Sequence, residues 1–167
     1  MDESQFWSII AGSRSELSQT AREGNFARQL DNISTLLAEL PDADLVEFDR
    51  LFTTRFYEAY RWDLWGAAYL IGGGCSDDGF MDFRAWLISM GREVYESAIR
   101  NPDSLADVYH RKDFDDYFFE DFLSVTLEIQ DGPVETVHVP HPGKPAGEKW
   151  DEDDLEQLYP RLAALHG

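Results

Sequence analysis

The sequence predicts an all-α fold, a compact bundle of six to eight helices in a single domain. Three observations carry this reading. Apolar residues recur at three- and four-residue intervals along most of the chain, caps and glycines separate those runs, and no second strand is available to complete a stable sheet. The expected domain spans residues 1–167, with a core over 2–130, an extended Pro/Gly-rich loop over 131–149 and a C-terminal helix over 150–166.

The first helix follows Asp2, which can cap it, with Gln5 standing where the reciprocal capping-box partner belongs. Phe6, Ile9 and Ile10 form its apolar stripe, and Gly12 is placed to end it. A second helix from Asn25 carries Phe26, Leu30, Ile33, Leu36, Leu37 and Leu40 on one face. Pro41 separates it from a third, whose first turn holds Asp42 and Asp44, where the helix dipole favours negative charge. Leu45, Phe48, Leu51, Phe52, Phe56 and Tyr60 follow at helical spacing.

"RWDLWGAAYLI" is apolar nearly all round, the mark of a buried helix, and Gly66, Ala67 and Ala68 let a neighbour approach closely. "FMDFRAWLISMG" then turns Phe80, Phe83, Trp86, Leu87 and Met90 inward and Asp82, Arg84 and Ser89 outward. A further helix ends near Asn101, and a short helical turn starts at Pro102. The stretch around "FEDFLSVTLEIQDG" shows both helical and alternating patterns; the helix is preferred. "VPHPGKPAGEKW" is extended loop, and "WDEDDLEQLYPRLAALHG" is a helix interrupted by Pro160.

With 167 residues and 43% hydrophobic content, the chain can bury one sizeable core, and a 14% aromatic share excludes disorder along its length. The net charge is −19, with 33 acids against 14 bases, which repels phosphate backbones and favours basic partners. Residues 101–167 hold 16 acids and 5 bases, so the shorter part is the more acidic. No nucleic acid, membrane or cofactor is therefore expected. A single cysteine cannot form an internal disulfide, which points to a reducing, cytoplasmic setting. The start lacks the basic and apolar regions of a signal peptide, and no apolar run is long enough to span a bilayer.

"YLIGGGCSDDGF", residues 69–80, holds the weak catalytic candidates Cys75, Asp77 and Asp78, with Asp82 just beyond. Carboxylates at this helix start argue against a phosphate loop, and their spacing against a calcium loop. A nucleophilic Cys75 needs a lowered pKa, which adjacent aspartates oppose. The plainer reading is a corner in which glycines end one helix and Ser76, Asp77 or Asp78 start the next. His138 and His141 have metal-ligand spacing but lack the further ligands of a zinc site, so no metal is expected. Asp113, Asp115, Asp116, Glu120 and Asp121 form an acidic cluster suited to an arginine-rich partner, or to the wet side of a helix. Trp62, Trp65, Tyr69 and Trp86 are either core or the lining of a small-ligand pocket.

Residues 45–107 resemble an uncharacterised bacterial domain-of-unknown-function family, common in actinobacteria, with a core of the form "DLW-AAYLI-GGCSDDGF-DFR-WLI--G". The N-terminal "FW" and terminal "YPRLAAL" are similar too. The resemblance implies a bacterial, cytoplasmic, mainly helical domain and brings no functional residues with it. The functional expectation is an acidic binding or regulatory protein, inhibitor- or immunity-like, with a basic protein partner. The alternative is a small enzyme using Cys75 with Asp77, Asp78 or Asp82.

Overall fold

A capping box starts the chain: Gln5 N–H donates to Asp2 Oδ1 and Asp2 N–H donates to the Gln5 side chain, both at 2.8 Å. The computed structural model describes residues 1–15, 17, 25–108 and 119–166. Within them run α1 (Glu3–Ser13), α2 (Asn25–Ala38), α3 (Asp42–Glu58), α4 (Trp62–Gly72), α5 (Asp77–Ser89) and α6 (Arg92–Arg100). A 3-10 segment (Pro102–Asp107) follows, then α7 (Asp121–Gln130), a second 3-10 turn (Glu152–Asp154), α8 (Leu155–Leu158) and α9 (Pro160–His166). The fold is all-α, and the described residues contain no strand.

Several boundaries differ from expectation. Gly12 lies inside the last turn of α1, which continues to Ser13. The fifth helix begins at Asp77, and of the three candidate caps it is Ser76 that acts, its Oγ accepting the Gly79 N–H at 3.1 Å. The C-terminal helix is three short pieces, and the break falls at Tyr159, with Pro160 opening α9 where its missing N–H costs nothing. Residues 121–130 are helical, and 135–142 have no regular structure, so the alternating "VETVHV" pairs with nothing.

The centre is aromatic. Phe6 meets Phe48 at 5.1 Å between ring centroids, and Phe52 meets Phe122 at 5.9 Å, joining α1, α3 and α7. Helix α5 runs through this core with every residue from Phe83 to Ser89 buried. Arg84 and Ser89, expected on the outer face, are therefore corrections: they are 3% and 0% exposed. Both are tolerated because their polar atoms are used. Ser89 Oγ donates to Trp86 O at 2.6 Å, and Ser89 O accepts from Gln29 Nε2 at 2.8 Å and Arg14 Nη1 at 3.2 Å.

The same device recurs at other helix ends. Tyr95 Oη donates to Arg55 O (2.6 Å) and Arg84 Nη1 to Phe56 O (3.0 Å), satisfying carbonyls in the last turn of α3. Arg61 Nη1 donates to Ile99 O near the end of α6 at 3.0 Å. The Asp103 carboxylate accepts the backbone N–H groups of Arg161 and Leu162 at the start of α9 (3.1 and 2.9 Å).

Helix α4 allows a close approach at Gly66, as its small residues suggested. A Cβ placed there stands 2.6 Å from Tyr159 Oη and 3.0 Å from Trp150 Cδ1. Both side chains donate hydrogen bonds to carbonyls in the first turn of α4, Tyr159 to Asp63 O (2.6 Å) and Trp150 to Trp62 O (2.7 Å). Gly66→Ala is expected to lower stability by about 1–2 kcal/mol, the clash outweighing alanine's better helix propensity. Urea unfolding of the variant checks this; a midpoint equal to or above that of the unchanged protein contradicts it.

Candidate functional site

At the Gly-Cys-Asp corner, local chemistry explains each residue. Gly73 takes the left-handed conformation (φ 63°), and Gly74 N–H returns to Tyr69 O at 2.8 Å, closing α4 with a Schellman motif. Trp65 Nε1 donates to Cys75 O at 2.9 Å and pins the turn to α4. Asp77 and Asp78 are exposed in the first turn of α5.

Cys75 is half-buried, and its Sγ donates weakly to Ser76 O at 3.6 Å. Burial pushes the thiol up to about 12, with Asp82 and Asp77 adding to the rise against a small opposing effect from Trp65. Asp82 is itself raised by burial and by the charges of Glu120 and Asp78. The structure thus brings Cys75, Asp77 and Asp82 into one negative neighbourhood, where the thiol is held in its neutral form. No described imidazole is bonded to the sulfur.

Of the acidic cluster, Asp113, Asp115 and Asp116 lie outside the described residues, and Glu120 and Asp121 are exposed at the start of α7. His138 lines a cavity with Tyr57. His141 packs edge-on against Tyr57 at 5.0 Å and faces Tyr60 at 5.6 Å, its Nδ1 accepting Gly143 N–H at 2.9 Å. Among the described residues no three His, Cys, Asp or Glu side chains are placed to hold a metal. Nor is any described helix long and apolar enough to cross a membrane. Trp62 stacks on Trp65 (5.1 Å), Trp65 on Phe80 (4.9 Å), and Tyr69 meets Trp150 (5.2 Å), so these rings fill one another's space. Trp86 is buried beside Phe83 at 5.5 Å.

The concave surface lies elsewhere, along the seam between α3 and the irregular segment 134–149. Ala146 fastens that segment by a two-bond bridge: Trp62 N–H donates to Ala146 O and Ala146 N–H to Tyr60 O, both 2.9 Å. Two cavities open on the seam and share Tyr57 as a wall. The larger, about 660 Å³, is lined by Glu58, Tyr60, Arg61, Asp63 and Glu148 among others. Its one cation is already engaged, since Arg61 Nε donates to Asp63 Oδ1 at 3.0 Å as its Nη1 reaches Ile99 O. The smaller, about 220 Å³, is walled by Asp49, Thr53, Gln130, Thr136 and His138 with Tyr57. Asp49 is 2% exposed, its Oδ1 accepts Gln130 Nε2 at 2.8 Å, and burial raises its carboxyl above the ordinary range.

Asp49 and Arg84 are buried charged residues that polarity alone hides, although helical spacing marks both. Asp49 stands four residues after Leu45 and three before Phe52, and Arg84 four after Phe80 and three before Leu87. A charged residue on the apolar stripe of a helix is the signal for a buried polar group with a task.

Comparison with known proteins adds one finding. The model of a family described as "Protein of unknown function (DUF4240)" matches residues 1–129. No curated protein and no solved structure matches the chain.

Proposed function

The chain belongs to the DUF4240 family of proteins of unknown function, and on that premise we propose that it is an acidic binding protein, of the inhibitor or immunity type, whose target is a basic protein. The observation that carries this reading is the charge balance of the α3 seam. Glu58, Asp63 and Glu148 line the larger cavity and Asp49 the smaller; Arg55 pairs with Glu58 and Arg61 with Asp63, which leaves Glu148 and Asp49 without an ion pair among the described residues.

The wider surface follows the same pattern. Arg50 pairs with Glu47, Arg55 with Glu3 and Glu58, Arg92 with Glu96, and Arg161 with Asp107, while Arg84 is interior. These arginines are spent on internal partners; Lys144 and Lys149 are exposed, but so are Glu148, Asp151, Glu152, Asp153, Asp154 and Glu156, which outnumber them. A surface of this kind steers a basic protein into encounter and discriminates against acidic ones. The alternative, an enzyme using Cys75 with Asp77, Asp78 or Asp82, has less support, because that thiol is held protonated. A bacterial, cytoplasmic setting belongs to the same proposal, supported by the lone unpaired cysteine, and residues 69–80 are taken as the family's signature.

The test is capture on immobilised protein at low and raised salt (about 0.05 and 0.3 M), which bracket Debye lengths of roughly 14 and 6 Å. A basic protein should be retained at low salt, released at high salt, and lost from the Glu58→Gln, Glu148→Lys double variant. Retention of nothing, or of a protein indifferent to both changes, removes the proposal.

A further inference from the structure

We propose that the smaller seam cavity is a receptor for the guanidinium of an arginine side chain carried by the protein partner. The inference deepens the reading above and rests on it only for the source of the arginine. Its foundation is Asp49, a residue only 2% exposed whose carboxylate has no cation of its own among the described residues. One of its oxygens is held by Gln130 Nε2 at 2.8 Å, and the second takes no hydrogen bond from a described residue. A buried carboxylate left this way is costly unless a cation completes it, and here it forms part of the wall of an open cavity.

The rest of the wall selects the class of cation. Thr53, Thr136 and Gln130 line the same cavity as the carboxylate, and each carries a side-chain oxygen able to accept. Several acceptors about one anionic oxygen suit the five divergent N–H donors of a guanidinium better than a compact ammonium. Tyr57 lines the cavity as well, an aromatic residue of the kind against which planar guanidinium groups pack. A volume of about 220 Å³ falls below the roughly 300 Å³ at which pockets for whole small molecules begin, and suits one inserted side chain. A metal ion finds too few ligands, since the wall holds one carboxylate and one imidazole. Burial raises the Asp49 carboxyl against the opposing Gln130 hydrogen bond, and a guanidinium beside it would favour the charged form again.

The experiment is an amide NMR titration of the full chain with N-acetyl-arginine methylamide, the lysine counterpart and agmatine. Capped arginine should shift the Gln130 side-chain amide and the Thr53, Thr136 and His138 backbone amides saturably, with a Kd on the order of 1 mM or above for one isolated side chain. Capped lysine should bind several-fold more weakly. Asp49→Asn should weaken capped arginine about tenfold or more, the loss of a charged hydrogen bond. Its spectrum away from the cavity reports on the fold, and Thr136→Val, outside any helix, gives a second and smaller loss should that spectrum collapse. No saturable shift at these residues overturns the proposal, as does equal binding by Asp49→Asn with its fold intact. Agmatine binding without capped arginine overturns the side-chain source. These results stand apart from the capture experiment: a protein retained there by the larger cavity alone leaves the basic-partner reading in place while this one fails.

Discussion

Arg84→Ala is expected to lower the unfolding free energy by about 3 kcal/mol or more, enough to reduce the folded-to-unfolded ratio more than a hundredfold. The guanidinium lies 4.0 Å from the Phe56 ring centroid, 4.6 Å from Tyr60 and 5.0 Å from Phe80, with Nε donating to Phe80 O (3.3 Å) and Nη1 to Phe56 O (3.0 Å). No carboxylate among the described residues pairs with it. Burial lowers its pKa to about 10, which still leaves it charged at neutral pH. Alanine removes two hydrogen bonds and three ring contacts, orphans Phe56 O near the end of α3, and opens a cavity that close-packed aromatics cannot refill. Arg84→Met separates these effects. It keeps most of the volume and discards the desolvated charge, so it should lose only about half as much. Urea unfolding of both variants decides, and an alanine variant within about 1 kcal/mol of the parent shows that the ring cage holds α3 to α5 without the cation.

The second large effect is chemical. At pH 8, iodoacetamide should alkylate Cys75 in the folded protein about a hundredfold more slowly than in the urea-unfolded chain. A thiol pushed up to about 12 has on the order of a thousandfold less thiolate than a free one with pKa near 8.5, and the greater nucleophilicity of the more basic thiolate restores about tenfold. Since only the thiolate reacts, the folded-state rate should climb about tenfold per pH unit from 7 to 10 without levelling. The unfolded chain levels near pH 9. A folded-state plateau below pH 8 marks a depressed pKa and revives the corner as a catalytic site.

Much of the fold was legible because burial writes a periodic pattern. The stripes of α2 and α3, the capping box at Asp2, and the glycine-rich stop after α4 each follow from short-range rules that tertiary packing then reinforces. Arg84 was not legible by polarity, since a cation between apolar neighbours reads as the wet side of a helix. Only the convergence of Phe56 on α3, Tyr60 just beyond it and Phe80 on α5 makes its position favourable. The seam was harder still. Asp49 and Thr136 are 87 positions apart, and the intervening loop carries no periodicity to say which helix it crosses. The corner at residues 69–80, conspicuous in sequence, is conspicuous because a tight reversal needs unusual residues. The acidic groove is built from ordinary ones.

One feature of the architecture bears on how the molecule comes apart. Helices usually loosen from their ends, where carbonyl and amide groups lack partners within the helix. Here the last turns of α3, α5 and α6 and the first turns of α4 and α9 are tied by side chains from distant stretches: Tyr95, Arg84, Gln29, Arg61, Trp150 and Asp103. Fraying any of these ends therefore means releasing a second element, which makes partial opening there more costly than in an ordinary bundle. The segment over α3 is held differently, by two backbone bonds at Ala146 and by the Trp150 indole on Trp62 O, so a visitor to the groove meets a floor locked by crossed side chains.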